Sequence, residues 1–200
     1  MTVSMPAPIA SGPATVEQML AHAQIYSVLV AYCQGVDRRD WAHVLSCYHD
    51  DAHESHGQFV GNPVDFVEWL KANHEHVTSS MHVLSNVSIG IAPEDERFAR
   101  AESYCLSHKE VAAAKDDTFF HKTGDDQPLR RTVACRYIDT FENRDGIGWR
   151  ILSRSVAFEW VRREPGELYY PLEPEMDNAR RDRTDLLYVP LAGPRGTVAR

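Results

Sequence analysis

Two side chains suited to proton transfer stand forty-five residues apart in this chain. Asp37 lies in the run Ala31-Tyr32-Cys33-Gln34-Gly35-Val36-Asp37-Arg38-Arg39-Asp40-Trp41, and His82 opens the strand-like run Met81-His82-Val83-Leu84-Ser85-Asn86-Val87. An ionised Asp that orients a His and compensates its charge makes an acid–base pair, and such a pair works without a cofactor. Positioned acid–base catalysis of this kind contributes roughly 10²- to 10⁴-fold in rate. The structural alternatives are a capping role for Asp37, although Asp40 already suits the helix that follows, and a satisfied core histidine for His82.

The elements that must position the pair are legible in outline. Residues 1–14 are rich in Pro, Ala, Ser and Gly and read as a flexible leader. Thr15 caps a helix whose apolar stripe is expected to run through Val16, Met19, Leu20, Ala23, Tyr26, Val30 and Cys33, and one further turn lands on Asp37, unless Gly35 ends the helix first. Asp40 caps a short helix through Trp41, Val44, Leu45 and Tyr48, and a polar strand or turn follows over residues 51–57. Asn62-Pro63 starts a third helix that turns Phe66, Val67 and Leu70 inward.

The period then changes to that of strands, over residues 81–91, 97–111, 130–143 and 148–161. Residues 112–127 form a charged connection or lid, and Asn143-Arg144-Asp145-Gly146 is a hairpin turn. The expected fold is α+β, three N-terminal helices packed on a strongly bent mixed or antiparallel sheet. One domain over 15–163 and a C-terminal extension over 164–200 account for the length. Tyr169, Tyr170, Leu186, Leu187 and Tyr188 give that extension apolar residues with which to dock on the domain or a neighbour.

Composition narrows the function classes. The net charge is −8, no basic stripe offers itself to nucleic acid, and Asp177, Asp182 and Asp185 interrupt the cluster Arg180, Arg181 and Arg183, which reads as a solvated helix face. No apolar run approaches the roughly 20 residues of a membrane helix, and no signal-peptide order is present, so a cytoplasmic location is expected. Cys33, Cys47, Cys105 and Cys135 lie far apart in apolar patterns, as buried free thiols do. The close histidine pairs, His53 with His56 and His74 with His76, lack an acidic or thiol partner at a ligand spacing, so no metal site is expected.

Arg154 shares an expected strand face with Leu152, Val156 and Phe158. A guanidinium among apolar neighbours needs an anionic partner. Asp37 or charge developing on a substrate would serve, and so would a structural ion pair with Glu159, Glu102 or Asp139.

Helices first, then a bent sheet, an Asp at the end of the first helix and a His opening the first long strand: this order resembles the SnoaL-like family of cone-shaped, cystatin-like α+β proteins, which includes scytalone dehydratase, bile acid dehydratase and hexachlorocyclohexane dehydrochlorinase. The resemblance covers roughly residues 15–162 and rests on Gly35 to Trp41, Met81-His82-Val83, and Asp145 to Arg150 running into Ser153-Arg154-Ser155. It implies a catalytic dyad of Asp37 and His82, with Tyr32 and Arg154 as further catalytic positions. It also implies that His56 stands for a water-polarising tyrosine, that His108 retains a second histidine, and that Cys135 and Tyr137 replace a Ser and an Asn.

The function expected from this reading is a cofactor-independent lyase, dehydrating or otherwise cleaving a small hydrophobic cyclic or aromatic alcohol. Its substrate-binding positions would be His56, His108, Tyr137 and Phe158. A ketosteroid-isomerase-like double-bond isomerase, and a non-catalytic binding or dioxygenase small-subunit-like protein, are the alternatives. By the same resemblance a homo-oligomer, a trimer first, is expected.

Overall fold

The computed structural model describes residues 12–113, 116–117, 126–166, 172–173, 176 and 178–190. The expected leader up to residue 11, most of the lid segment, and Tyr169 and Tyr170 lie outside the described residues. Helix α1 runs Val16–Asp37, α2 Trp41–Ser46 and α3 Pro63–Asn73. The strands are β1 Tyr48–His56, β2 Phe59–Gly61, β3 Val77–Ile91, β4 Phe98–Val111, β5 Leu129–Arg144 and β6 Gly148–Pro165. They form one sheet in the order β2-β1-β6-β5-β4-β3, antiparallel throughout except that β1 runs parallel to β6. Among the described residues no helix is long and apolar enough to cross a membrane.

Local chemistry explains the boundaries that matter. The Thr15 side chain accepts from the Gln18 amide, and Asn62 accepts from Asp65 with Pro63 in the first turn, so α1 and α3 begin where the caps place them. Gly35 does not end α1. It is a contact point instead, because a Cβ there would meet Val44 Cγ2 at 2.7 Å, and α2 crosses closely at that spot. Arg39, at φ 53°, turns the chain out of the helix, while its guanidinium donates to the carbonyls of His74 and Val77 and ties the α1 end to the start of β3. Gly146, at φ 73°, makes the expected hairpin turn.

The inward face of α1 differs from the expected stripe. Val16, Met19, Leu20 and Tyr26 are exposed, and the sheet is met by Ile25, Leu29, Tyr32 and Val36. The helix is apolar on two sides, so periodicity alone could not choose between them; Cys33 is buried and Val30 half-buried beside the true face. Strand β3 begins four residues earlier than its apolar pattern suggests. Thr78, Ser79 and Ser80 are polar, yet Val77, Ser79 and Ser80 pair with β4 around a bulge at Thr78, and His82 is therefore well inside the strand.

Bulges bend the sheet around the helices. The register slips between Tyr48 and His53 against β6, between Ser85 and Ser88 of β3, and between Thr140 and Phe141 of β5 against β6. The last slip leaves Leu152 as the extra residue. Ile151 and Arg154, three apart, consequently both face inward, rather than Leu152 with Arg154.

Candidate active site

Asp37 is the last residue of α1 and His82 reaches it from the inner face of β3. The imidazole Nδ1–H donates to Asp37 Oδ1 at 2.6 Å, the His82 backbone N–H donates to Oδ2 at 2.9 Å, and the Ser80 hydroxyl donates to Oδ1 at 2.7 Å. Burial works against charge on Asp37, but the His82 imidazole and these donors outweigh it and hold the carboxyl at about 2. The carboxylate is thus ionised and committed as an acceptor. Because Nδ1 carries the proton toward Asp37, Nε2 is the ring nitrogen with a lone pair to offer.

A second carboxylate–imidazole pair lies deeper. Glu54 of β1 is fully buried, and it accepts from the Tyr48 hydroxyl at 2.8 Å and from His56 Nδ1–H at 3.0 Å. The His56 ring lies against Phe66, Trp69, Tyr137 and Phe158, with centroids between 5.3 and 6.5 Å. Burial pushes the His56 imidazole down, against the pull of Glu54, so it is neutral at neutral pH. Sequence reasoning missed Glu54. Strand alternation in Ala52-His53-Glu54-Ser55-His56 was the available signal, since residues two apart share a face.

Between the pairs stands Arg154, whose partner is Asp139 rather than Asp37. Nε and Nη2 donate to the two Asp139 oxygens at 2.7 and 2.8 Å, with both side chains fully buried. The guanidinium is sandwiched between the rings of Tyr32 and Tyr137, each 4.2 Å away. Its Nη1 is buried without a partner, as are the hydroxyls of Ser103 and Ser107 on the inner face of β4. Burial, foremost, pushes the phenols of Tyr32, Tyr48 and Tyr137 well above their usual range, so all three remain donors.

The predicted site residues therefore divide. Asp37, His82, Tyr32, Arg154, His56, Tyr137 and Phe158 all belong to the inner face or to the helix that covers it. His108 does not. Ser107 is the residue directly opposite His82, so His108 turns to the outer face, where Nδ1 meets Thr132 Oγ1 at 3.0 Å, and it lines only the groove that also reaches Asp37. Lys109, which sequence reasoning passed over, returns to the inner face and donates from Nζ to His74 Nε2 at 2.9 Å.

The C-terminal extension completes the surroundings. Arg181 is no part of a solvated helix face: its guanidinium donates to the carbonyls of Val36, Asp37 and Val77, closing the end of α1 onto β3. Arg38 pairs with Asp185, and Tyr188 donates to Asp40. Leu186 and Leu187, expected to dock, are about half exposed in the single chain. A groove of about 560 Å³ opens between this extension and the sheet, reaching Asp37, Ser80, Lys109, Arg131 and Arg181.

The profile of the SnoaL-like domain matches residues 17–155, which spans every element from α1 into β6. The chain belongs to the SnoaL-like domain family. Solved structures agree on the fold. A structure assigned as a scytalone dehydratase from Novosphingobium aromaticivorans is similar over 72% of this chain and 87% of its own, at 16% identity and a TM-score of 0.58. Hexachlorocyclohexane dehydrochlorinase type 3 from Novosphingobium barchaimii covers 80% and 99%, at 16% identity and 0.59. A cystatin-like protein of unknown function from Nostoc punctiforme covers 72% and 93%, at 14% and 0.51. A comparison with functionally curated proteins found no match. The family match stops short of the extension that carries Arg181.

Proposed function

We propose that this SnoaL-like domain is a cofactor-independent lyase acting on a small hydrophobic cyclic or aromatic alcohol. The observation that carries the reading is the contact of His82 Nδ1 with an ionised Asp37 that accepts three hydrogen bonds. In the reaction, His82 Nε2 removes a proton from the substrate, and Asp37 stabilises the imidazolium that forms. The departing hydroxyl then needs a donor. Ser107 Oγ, opposite His82, and Arg154 Nη1 are buried donors without partners, and Tyr32 adds a phenol that stays protonated.

Arg154 acts in this scheme from a fixed position. Its two bonds to Asp139 and its stacking between two tyrosines leave only Nη1 to turn toward a ligand. The apolar side of the site is Phe66, Trp69, Tyr137 and Phe158, which suits a ring better than a chain. The similarity to a structure assigned as a scytalone dehydratase and to a dehydrochlorinase supports elimination chemistry.

The test is a panel of hydroxylated aromatics and β-hydroxy carbonyls, followed by ultraviolet absorbance of a newly conjugated product. Turnover by the wild-type chain, lost in His82→Ala and in Asp37→Asn, is the expected result; a variant retaining near wild-type rate would sink the assignment.

The same reading includes a homo-oligomer, a trimer by family resemblance. Val83, Leu106, Ala134 and Trp160 are cross-strand neighbours in one row over β3, β4, β5 and β6, on the face turned away from the helices, and all but Ala134 are exposed. Such a row suits burial against another copy. Sedimentation of Leu106→Glu should show smaller particles than wild type, and a monomeric wild type would refute the assembly.

A further inference from the structure

The chain has four lysines against seventeen arginines, and one of the four, Lys109, is turned inward beside the dyad. We propose that Lys109 is a nucleophilic amine that captures oxo acids as an imine in the groove beneath the C-terminal extension. This goes beyond the lyase reading and does not depend on it.

Three observations support the assignment. The first is the partner. His74 Nδ1 lies 2.8 Å from the Leu70 carbonyl and must donate to it, so Nε2 presents a lone pair to Lys109 Nζ at 2.9 Å. Burial, and then Lys109 itself, push the His74 imidazole well below its usual range, and it remains neutral. A neutral imidazole acceptor fixes one N–H of the amine and is placed to take up a proton that nitrogen loses only after it has attacked.

The second is the electrostatic setting. Asp37 and Ser80 face Lys109 from α1 and β3, His74 from the end of α3, Arg131 from β5, Cys105 from its own strand and Arg181 from the extension. Arg131 is already paired with Asp117, and Arg181 with three backbone carbonyls. Burial, and then the Arg131 guanidinium, bring the Lys109 amine down to about 7. An exposed lysine is protonated at that pH and is no nucleophile.

The third is the approach. The groove reaches Lys109 and is lined by Arg38, Arg130, Arg131, Arg180 and Arg181 against the carboxylates of Asp37, Glu110 and Asp185. In a chain of net charge −8 this is a local excess of positive charge, suited to a carboxylate-bearing carbonyl compound. The step is an ordinary condensation. Nζ attacks the carbonyl carbon, a C–N bond forms as the C=O π pair moves onto oxygen, His74 Nε2 relays the two protons lost by nitrogen to that oxygen in turn, first making a hydroxyl and then water, and the water leaves as the C=N bond closes.

Reductive trapping reads this directly, without any turnover assay. The full chain is incubated with pyruvate and cyanoborohydride from pH 6 to 9, and adducts are located by peptide mapping. At pH 7.5 Lys109 should be modified at least tenfold faster than Lys71, an exposed lysine paired with Glu68. Its rate should rise to half its maximum near pH 7, Lys109→Arg should abolish that adduct, and His74→Gln should slow it several-fold. Wild-type protein in which Lys71 is modified as fast as Lys109 would overturn the proposal, whether or not the variants fold. Acetone reacting as fast as pyruvate would overturn the oxo-acid assignment. Failure of this test leaves the Asp37–His82 reading standing, because it probes a different nitrogen.

Discussion

Asp37 with His82 and Glu54 with His56 both join a carboxylate to an imidazole through Nδ1, at 2.6 and 3.0 Å. Their surroundings differ. Asp37 keeps 13% of its side chain accessible, borders a groove and is held by three donors, whereas Glu54 is wholly enclosed and its histidine is packed among aromatic rings. The first environment holds the carboxyl at about 2, and the second pushes the imidazole down. Identical functional groups thus acquire different work. The proposed proton transfer is placed on the pair near the rim, while the pair in the aromatic layer ties a tyrosine and a histidine of β1 to one buried carboxylate.

The largest expected effect separates the two by activity. His82→Ala and Asp37→Asn should each lower turnover by at least about 10²-fold on an accepted substrate while the circular dichroism spectrum is kept. At the other pair the loss should fall on stability. Glu54→Leu strands the Tyr48 hydroxyl and His56 Nδ1–H, which costs about 2–5 kcal/mol by denaturant unfolding. An exchange of these outcomes, activity lost at Glu54 and stability lost at Asp37, would break the comparison.

Acid sharpens it further. The folded-state pKa of Asp37 is depressed from its ordinary value near 3.8 to about 2, so its contribution is present above pH 4 and is lost as pH falls toward 2. About 2 kcal/mol of stability should disappear across that window, and Asp37→Asn should flatten the slope. His56 acts in the same direction at higher pH. Its imidazole is depressed in the fold, so the unfolded chain binds the proton more tightly and stability rises as pH passes upward through about 6.5. Imidazole NMR titration of His56→Gln against wild type identifies the resonance, which should titrate below the ordinary range; an ordinary value would remove the contrast. Ser80→Ala should have the smallest effect, less than tenfold in turnover, since both His82 donors to Asp37 remain.

Much of this arrangement was legible in the residues. Thr15, Asn62-Pro63 and Gly146 announced two helix starts and a hairpin because caps and turns depend on local chemistry. Asp37 and His82 could be matched because one ends a helix and the other sits in a strand. What sequence could not settle was decided by distant contacts. The side of α1 that turns inward was chosen by the sheet, and the facing of Arg154 by a bulge at Leu152. Ser80 and Lys109 escaped notice because a polar strand end gives no alternation of apolar residues, although pairing brings them directly opposite each other. Arg181 looked like a surface charge until three carbonyls, each over a hundred residues away, were seen to converge on it.

The parallel pairing of β1 with β6 has a kinetic consequence. Glu54 and Arg154 are partners in that register, about 100 residues apart in the chain, so β1 closes onto β6 at the lowest cost once the intervening strands have folded and shortened the loop. Loop-closure entropy makes this the late event of folding, and the aromatic layer around His56 is sealed only then. Slow refolding, with the fluorescence of a variant that keeps Trp69 as its sole tryptophan trailing the helical signal in stopped-flow traces, is the expected behaviour.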